Sequence, residues 1–290
     1  MAPKTSSVID RNAELAKLTT FRRTPQATRD ERKGSVAKLA DYRDGMLLAI
    51  KFSGRDHWER HLTGEELVHI IDGSATVQMT SDNGPPKSYE LRTGMLALIP
   101  RGAWHRLLSS EGATQIAATP FPGEEVAQDV DDPDAVWRKA GTSGHEQAER
   151  GAASGLPTII DIDAEAAKLS MFRGRTPRTT FAERKGSAVR LADYRDGLLL
   201  LSKSAGTGHW ETHPEDELLC VLDGAMTVDI VEHDSVRSFT LGTGMMGVVP
   251  PGAWHRVRSA DGATVLSAVV PGEHIDLDID DPRTVAGKPS

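Results

Sequence analysis

Residues 58–73 read WERHLTGEELVHIIDG, and residues 94–105 read GMLALIPRGAWH. The same pattern returns later in the chain, as WETHPEDELLCVLDG at residues 210–224 and GMMGVVPPGAWH at residues 244–255. Each stretch contains a short apolar run bounded by Gly, Pro or Asp, and places histidine or glutamate at repeated offsets. Because several residue types recur together at matching positions, the sequence indicates one fold built twice.

The repeat extends beyond these stretches and covers most of the chain. The run ERKGS occurs at residues 31–35 and again at 183–187, and the run LADYRDG occurs at 39–45 and again at 191–197. A repeat of this length is the size of a whole domain, which is long enough to bury a core of its own.

A stretch rich in Ala, Gly and Ser lies between the two copies, and this composition is typical of a linker. We therefore expect an N-terminal domain at residues 1–133, a linker at 134–157 and a C-terminal domain at 158–290.

Composition limits the classes of partner. The formal net charge is −8 at pH 7, so we expect neither a nucleic-acid partner nor an anionic membrane partner. No apolar run is long enough to span a bilayer, and the N-terminus lacks the apolar core of a signal peptide. The single cysteine, Cys220, is typical of a reducing cytoplasm, and its apolar neighbours predict a buried strand thiol. We therefore expect a cytoplasmic protein.

Most of the predicted secondary structure is strand. Short apolar runs between turn residues predict strands at 46–50, 67–71, 75–79 and 95–99 in the first half. Many short strands of this kind are typical of an all-β sandwich or jelly roll.

Two Asp-Gly pairs separate such runs, at Asp72-Gly73 and at Asp223-Gly224. Because Asp-Gly favours tight two-residue turns, we expect a hairpin at each pair. Helix is expected only in minor pieces, at 13–18, 164–169 and 146–150.

Strand alternation brings potential metal ligands together. Residues at i, i+2 and i+4 of a strand share one face, which places His57, Glu59 and His61 side by side. The equivalent residues of the second copy are His209, Glu211 and His213. Glu66 or Glu217 can return on a neighbouring strand, and a Pro-x-Gly turn delivers His105 or His255 from a distant one. Imidazole and carboxylate groups from three strands could hold a divalent cation.

At these residues the sequence resembles the cupin superfamily, and specifically a bicupin, which carries two barrels in one chain. The first family motif is matched by His61, Glu66 and Gly73, and again by His213, Glu217 and Gly224. The second motif is matched by Gly94, Pro100, Gly102 and His105, and again by Gly244, Pro250, Gly252 and His255.

The resemblance implies an all-β fold of two tandem double-stranded β-helix (jelly-roll) barrels. It also implies a metal site in each barrel. The implied ligands are His61, Glu66 and His105 in the first barrel, and His213, Glu217 and His255 in the second. Two fused barrels already satisfy much of the pairing that single barrels obtain by dimerising, so a monomer and a homodimer are both compatible with the resemblance.

The chain departs from the family at the first histidine of the motif, which is Glu59 in one copy and Glu211 in the other. This Trp-Glu-x-His variant leaves three alternatives open. The glutamates complete a set of two His and two Glu; they stay free and act as bases; or His57 and His209 supply the missing imidazole. A set of two His and one carboxylate resembles the facial triad of non-haem iron oxygenases.

Three classes of function follow from the resemblance. The first is a metal-dependent oxidoreductase, a non-haem dioxygenase that acts on a small carboxylate or phenolic molecule, with Fe as the expected metal and Mn or Zn as alternatives. The second is an isomerase, lyase or decarboxylase that uses a metal without O2. The third is a barrel that binds a small molecule without catalysis.

A basic segment precedes each barrel. The first contains Arg22, Arg23, Arg29, Arg32 and Lys33. The second contains Arg173, Arg175, Arg178, Arg184 and Lys185. Two interpretations stay open: the segment neutralises acidic surface nearby, or it crosses to the other barrel and offers an arginine to an anionic substrate.

Overall fold

The computed structural model describes residues 6–81, 84–128, 130, 131, 133, 155–232 and 235–285. The chain divides into two compact units. The N-terminal unit is Ala13–Asp163, and the C-terminal unit combines Met1–Asn12 with Ala164–Ser290. Most of the predicted linker, and the predicted helix at 146–150, lie outside the described residues.

Strands make up most of each unit. The first ten are β1 (Ser7–Asp10), β2 (Phe21–Arg23), β3 (Val36–Tyr42), β4 (Gly45–Arg55), β5 (Trp58–His61), β6 (Glu66–Ser81), β7 (Gly84–Arg92), β8 (Met95–Ile99), β9 (His105–Pro120) and β10 (Glu124–Ala127). The next ten are β11 (Thr158–Asp161), β12 (Phe172–Arg175), β13 (Ala188–Tyr194), β14 (Gly197–Thr207), β15 (Trp210–Thr212), β16 (Glu217–Glu232), β17 (Ser235–Gly242), β18 (Met245–Val249), β19 (His255–Val269) and β20 (Glu273–Ile275). The prediction of an all-β chain is confirmed.

Helix is confined to short pieces in the described residues. The helices α1 (Arg11–Ala16) and α2 (Ile162–Ala167) each follow a strand directly, and a 3-10 helix covers Pro282–Thr284. Both α-helices begin two residues earlier than predicted, because each starts at the end of the preceding strand rather than at its alanine-rich run. None of the helices in the described part of the chain has both the length and the apolar character needed to span a bilayer.

Ten strands in the described part of each unit join into one hydrogen-bonded sheet. In the N-terminal unit the main order is β10-β5-β9-β6-β8-β11, with β4 beside β9 and β7 beside β6. In the C-terminal unit the corresponding order runs from β1 through β18, β16, β19 and β14 to β12. The pairs are antiparallel except β2 with β4 and β12 with β14, which are parallel.

The Asp-Gly pairs do not form hairpins, contrary to the prediction. Strand β6 continues through Asp72 and Gly73, and its register with β9 shifts on both sides of the pair. On its other edge, β6 pairs with β8 before this point and with β7 after it. Gly73 has φ of 79°, and a Cβ atom there would lie 2.2 Å from the carbonyl oxygen of Gly112. The pair is therefore a bulged bend at which one strand changes partner.

The repeated edge strands lie in the units opposite to their place in the sequence. Strand β1, at the start of the first copy, pairs with β18 in the C-terminal unit, where Ile9 lies opposite Met246. Strand β11, at the start of the second copy, pairs with β8 in the N-terminal unit, where Ile160 lies opposite Leu96. The units thus differ from the sequence boundaries of 1–133 and 158–290 by an exchange of one strand.

This exchange predicts that equivalent mutations destabilise opposite units. Ile9 and Ile160 are matched in burial, at 6% and 7% exposed, so Ile→Ala at either site is expected to cost about 2–5 kcal/mol. Ile9→Ala should raise amide hydrogen exchange in β18 and leave β8 protected. Ile160→Ala should do the reverse, and faster exchange in the same unit for both variants would contradict the exchange.

Cys220 is a buried thiol in strand β16, with 8% of its surface exposed. Burial disfavours the charged thiolate and raises the pKa of Cys220 to about 12. Only the thiolate is an effective nucleophile.

We therefore expect Cys220 to resist alkylation in the folded protein. At pH 8 a thiol whose pKa is about 12 is ionised in about one molecule in ten thousand. Iodoacetamide should modify the native chain far more slowly than the chain in guanidinium chloride, as measured by intact mass. Equal rates in the two states would contradict the burial of this thiol.

Candidate metal centres

Strand pairing brings the two motifs of each copy together. In the N-terminal unit Glu59 of β5 lies opposite His105 of β9, and in the C-terminal unit Glu211 lies opposite His255. The Pro-x-Gly turn before β9 is fixed to β5, because the amide of Gly102 donates a hydrogen bond of 2.7 Å to the carbonyl of His61. The motifs are therefore joined through the backbone before any side chain is considered.

Four side chains of the N-terminal unit converge in one cluster. Glu59, His61, Glu66 and His105 each offer one ligand atom, and these atoms all lie within 4.8 Å of one another. Oε2 of Glu66 lies 3.0 Å from Nε2 of His105 and 3.5 Å from Nε2 of His61. Its other oxygen accepts a 2.6 Å hydrogen bond from the hydroxyl of Thr119. Glu66 is thereby held with one oxygen facing both imidazoles.

The tautomer of His105 follows from its neighbours. Nδ1 of His105 lies 3.0 Å from the carbonyl oxygen of Ala103, and a carbonyl can only accept, so Nδ1 carries the proton. In the neutral ring Nε2 then has a lone pair that faces the cluster. Such an arrangement is typical of histidines that bind metals.

Electrostatics within the N-terminal cluster favours charged groups. Burial alone would lower the pKa of His61, but the negative charges of Glu66 and Glu59 raise it to about 9. Burial alone would raise the pKa of Glu66, but His61 and His105 lower it to about 2. The carboxylates therefore stay ionised, and they call for positive charge, which protons or a cation can supply.

The C-terminal unit contains a similar cluster. Ligand atoms of Glu211, His213 and His255 lie within 4.8 Å of one another. Oε2 of Glu217 lies 2.8 Å from Nε2 of His255 and 3.7 Å from Nε2 of His213. Nδ1 of His255 lies 3.0 Å from the carbonyl of Ala253, so the tautomer argument made for His105 holds here also.

The pKa values of the second cluster follow the same pattern. Burial would lower the pKa of His255, but its hydrogen bond to Glu217 and the charges of Glu217 and Glu211 raise it to about 9. Burial would raise the pKa of Glu211, but the hydrogen bond from His209 and the nearby histidines lower it to about 2.

His57 and His209 lie next to the clusters rather than within them. Nε2 of His57 is 3.5 Å from Oε2 of Glu59, and Nε2 of His209 is 3.1 Å from Oε2 of Glu211. Both histidines thus contact the far oxygen of the glutamate that replaces the family's first histidine.

Glu124 is a nearby carboxylate that sequence analysis missed. It lies opposite His61 in the β10–β5 register and forms a group with His57 and Glu59. Burial and the charge of Glu59 raise the pKa of Glu124 to about 7. No motif marks this residue, and only the pairing of β10 with β5 shows its position.

The donor set fits a divalent cation. Both ring nitrogens of His61 and of His213 lack a hydrogen-bond partner among the described residues, although these side chains are only 2% and 6% exposed. Buried polar atoms are normally paired, and a cation bound to imidazole nitrogen and carboxylate oxygen would satisfy them. A mixed N and O set suits Fe, Mn or Zn.

Two tryptophans anchor the strands that carry these ligands. Nε1 of Trp58 donates a 3.0 Å hydrogen bond to the carbonyl of Val130, and the guanidinium of Arg106 lies 4.4 Å from the ring. Nε1 of Trp210 donates a 2.8 Å hydrogen bond to the carbonyl of Ile279. Both rings are almost fully buried, so β5 and β15 are held with their glutamates facing inward.

The basic segments enter their own barrels, so the prediction that they cross to the other barrel is wrong. Strand β2, which contains Arg23, pairs with β4, and strand β12, which contains Arg175, pairs with β14. Arg23 forms a buried ion pair with Asp56. Arg175 and Arg184 line a cavity beside Glu211.

Comparison with protein families gives one match. Residues 197–285 match the family described as Cupin domain. A search of curated protein sequences found no significant match to this chain.

Solved structures share the fold at low sequence identity. A salicylate 1,2-dioxygenase variant from Pseudoaminobacter salicylatoxidans, in complex with gentisate, has a TM-score of 0.61 and 14% identity, over 91% of this chain and 82% of its own. A Cupin 2 conserved barrel domain protein from Leptotrichia buccalis has a TM-score of 0.53 and 10% identity, over 93% of this chain and 99% of its own. Oxalate decarboxylase from Bacillus subtilis has a TM-score of 0.47 and 14% identity, over 85% of this chain and 74% of its own.

Elemental analysis of the purified chain checks the two clusters separately. We expect about two equivalents of divalent metal per chain, about one lost in His105→Ala or His255→Ala, and both lost in the double variant, because each change removes a ligand. His274→Ala is the matched control, since this histidine is 56% exposed and lies outside both clusters. Metal retained in the double variant, or none bound after reconstitution, would contradict the assignment.

Proposed function

Because this chain is a bicupin, with the cupin fold in both units and a match to the Cupin domain family in the second, we propose that it is a metal-dependent enzyme. The specific proposal is a non-haem dioxygenase that acts on a small carboxylate or phenolic compound. The observation that carries it is the convergence of two histidines and two glutamates in a buried cluster, seen in both units.

The first part of the proposal concerns the ligands. His61, Glu66 and His105 would hold the metal in the N-terminal unit, and their side chains are no more than 6% exposed. His213, Glu217 and His255 would hold it in the C-terminal unit. Two imidazoles and one carboxylate form the facial set that suits iron, with Mn and Zn as alternatives. A metal bound there supplies Lewis acidity, redox chemistry and open coordination positions.

The second part concerns Glu59 and Glu211, which are the most exposed members of their clusters, with side chains 15% and 23% exposed. We assign each the role of a displaceable ligand. When a substrate enters, the freed carboxylate is placed to accept a proton from a substrate hydroxyl or carboxyl group. His57 or His209 would hold its far oxygen during this step, which keeps the carboxylate oriented.

Burial of the clusters supports catalysis rather than a bare structural site. His105 and His255 are fully buried, while Glu211 and Glu217 line a cavity in the C-terminal unit. One side of the cluster is therefore dry and rigid and the other is open to a small molecule, as expected for a metal centre that binds substrate.

Oxygen uptake by the iron-loaded protein tests the reaction class. With a panel of small aromatic and keto acids, we expect O2 consumption that matches substrate loss, measured with an oxygen electrode and by mass spectrometry. His255→Ala should lower the rate by at least about 100-fold because it removes a ligand, and His274→Ala should not change it.

The other outcomes separate the remaining classes. Substrate conversion without O2 uptake would contradict the dioxygenase and support a metal-dependent isomerase, lyase or decarboxylase. A chain that binds metal and small molecules without converting any of them would contradict the enzyme and support a binding barrel.

A further inference from the structure

The interiors of the two units differ at positions that the repeat makes equivalent. In strand β4 of the N-terminal unit, Ile50 and Phe52 point into the core and are 6% and 0% exposed. The corresponding residues of β14 are Ser202 and Ser204. Replacing Ile and Phe by two serines removes much apolar volume and adds two hydroxyl groups, so the second interior is both larger and more polar.

A cavity of about 130 Å³ lies where these serines face inward. Its lining includes Ser202, Ser204, His209, Glu211 and Glu217. The cavity therefore reaches the candidate metal centre of the C-terminal unit. A cavity of about 150 Å³ accommodates a benzene molecule, so the space suits a compound of no more than about one ring.

Two arginines of the basic segment line the same cavity, and they are less fully paired than their counterparts. Arg175 and Arg184 occupy the positions that Arg23 and Arg32 have in the first copy. Arg184 is only 8% exposed, yet its Nε and that of Arg175 lack hydrogen-bond partners among the described residues. No ion pair joins either guanidinium to a carboxylate in that part of the chain. Buried charges are normally paired, which indicates a missing anionic partner.

In the N-terminal unit a carboxylate fills this role. Asp56 is 1% exposed; it pairs with Arg23 and lies 3.9 Å from Arg32. The guanidinium of Arg23 also packs 5.0 Å from the ring centre of Phe52. The arginines of the first unit are thus neutralised and packed against a filled interior.

The C-terminal unit has Gly208 at the position of Asp56. A Cβ atom added at Gly208 would lie 3.1 Å from Cζ of Arg175, so the guanidinium lies next to the place where the missing carboxylate would begin. Because Asp56 has no counterpart, the same metal in both units would leave the C-terminal cavity with one more positive charge.

A second carboxylate is also confined to the N-terminal unit. Glu124 lies opposite His61, and the equivalent residue beside His213 is Gly272, which precedes the pairing of Glu273 with Thr212. Both substitutions, Asp56 to Gly208 and Glu124 to Gly272, remove negative charge from the C-terminal site. Charge, polarity and volume thus differ between the units in one direction.

We propose that the cavity of the C-terminal unit binds the carboxylate group of a small anionic substrate on Arg175 and Arg184, next to the metal centre, and that the N-terminal unit does not bind this substrate. The proposal rests on the proposed function for the reaction, but the binding step is independent of it. Guanidinium groups bind carboxylates through paired, charge-assisted hydrogen bonds. Neutral phenols and amides of the same size lack the charge that these arginines require.

Calorimetric titration of the metal-loaded full chain tests the binding step. The probes are formate, oxalate, pyruvate and benzoate, with benzamide as the neutral isostere of benzoate. We expect at least one of the carboxylates to bind once per chain and benzamide to bind at least about tenfold more weakly. Absence of binding by all four carboxylates at millimolar concentration would overturn the proposal.

Matched variants identify the unit that binds. Arg184→Gln should weaken carboxylate binding by about 10- to 100-fold, the loss expected when a charge-assisted pair is removed. Arg32→Gln, the equivalent change in the first unit, should leave binding unchanged. Equal losses in the two variants, or no loss in Arg184→Gln, would overturn the assignment to the C-terminal unit.

A third variant guards against misfolding of Arg184→Gln. Gly208→Asp installs the carboxylate that Asp56 provides in the first unit, and Arg175 needs to shift by only a few tenths of an ångström to accept it. The variant should keep the metal content and the unfolding temperature of the parent, and lose carboxylate binding to the same extent as Arg184→Gln. Full binding by a folded Gly208→Asp protein would contradict an anion site at these arginines.

The results separate this proposal from the reaction class. Carboxylate binding that depends on Arg184, without O2 uptake, would leave the anion site intact and contradict the dioxygenase. O2 uptake with neutral phenols but no Arg184-dependent carboxylate binding would support the dioxygenase and overturn the anion site.

Discussion

The pairing of strand β5 with β9, and of β15 with β19, is the constraint on which both sites depend. It places Glu59 opposite His105 and Glu211 opposite His255, although the paired residues are far apart in the chain. The buried tryptophans hold the strands from the outer face, and the Pro-x-Gly turn is tied to the strand end from the other side. Because side chains alternate along a strand, a shift of one residue would turn the glutamates outward and the tryptophans inward. Register is therefore what makes a ligand cluster out of separate motifs.

Much of the fold and of the ligand set could be predicted because motif spacing reports on strand pairing. The repeated His, Glu and Gly positions predict two barrels, and the fold is confirmed. The Asp-Gly pairs misled the prediction because positive φ serves a bulged bend as well as a hairpin. The strand exchange could not be predicted, since Val8-Ile9-Asp10 and Ile159-Ile160-Asp161 have nearly the same sequence and fit either partner. Glu124 was missed because only the pairing of β10 with β5 brings it near His61.

The two copies have diverged in their interiors more than in their ligands. The N-terminal unit fills its barrel with Phe52 and pairs its arginines with Asp56, whereas the C-terminal unit leaves space, serines and unpaired Arg184. Filling and neutralising an interior stabilise a fold, while an open, charged cavity favours a ligand and costs stability. The duplication thus lets one copy keep packing while the other keeps a pocket.

The position of strands β1 and β11 also bears on how such a chain arises. Two single barrels that exchange an identical edge strand form a domain-swapped dimer, in which each strand completes the other subunit. Joining the two subunits into one polypeptide turns that reciprocal exchange into a permanent connection, and the swap no longer depends on protein concentration. The gene fusion has in this sense captured a dimer as a monomeric chain. Cutting the chain between its repeats would not release two complete barrels, but two barrels that must each take back their own first strand.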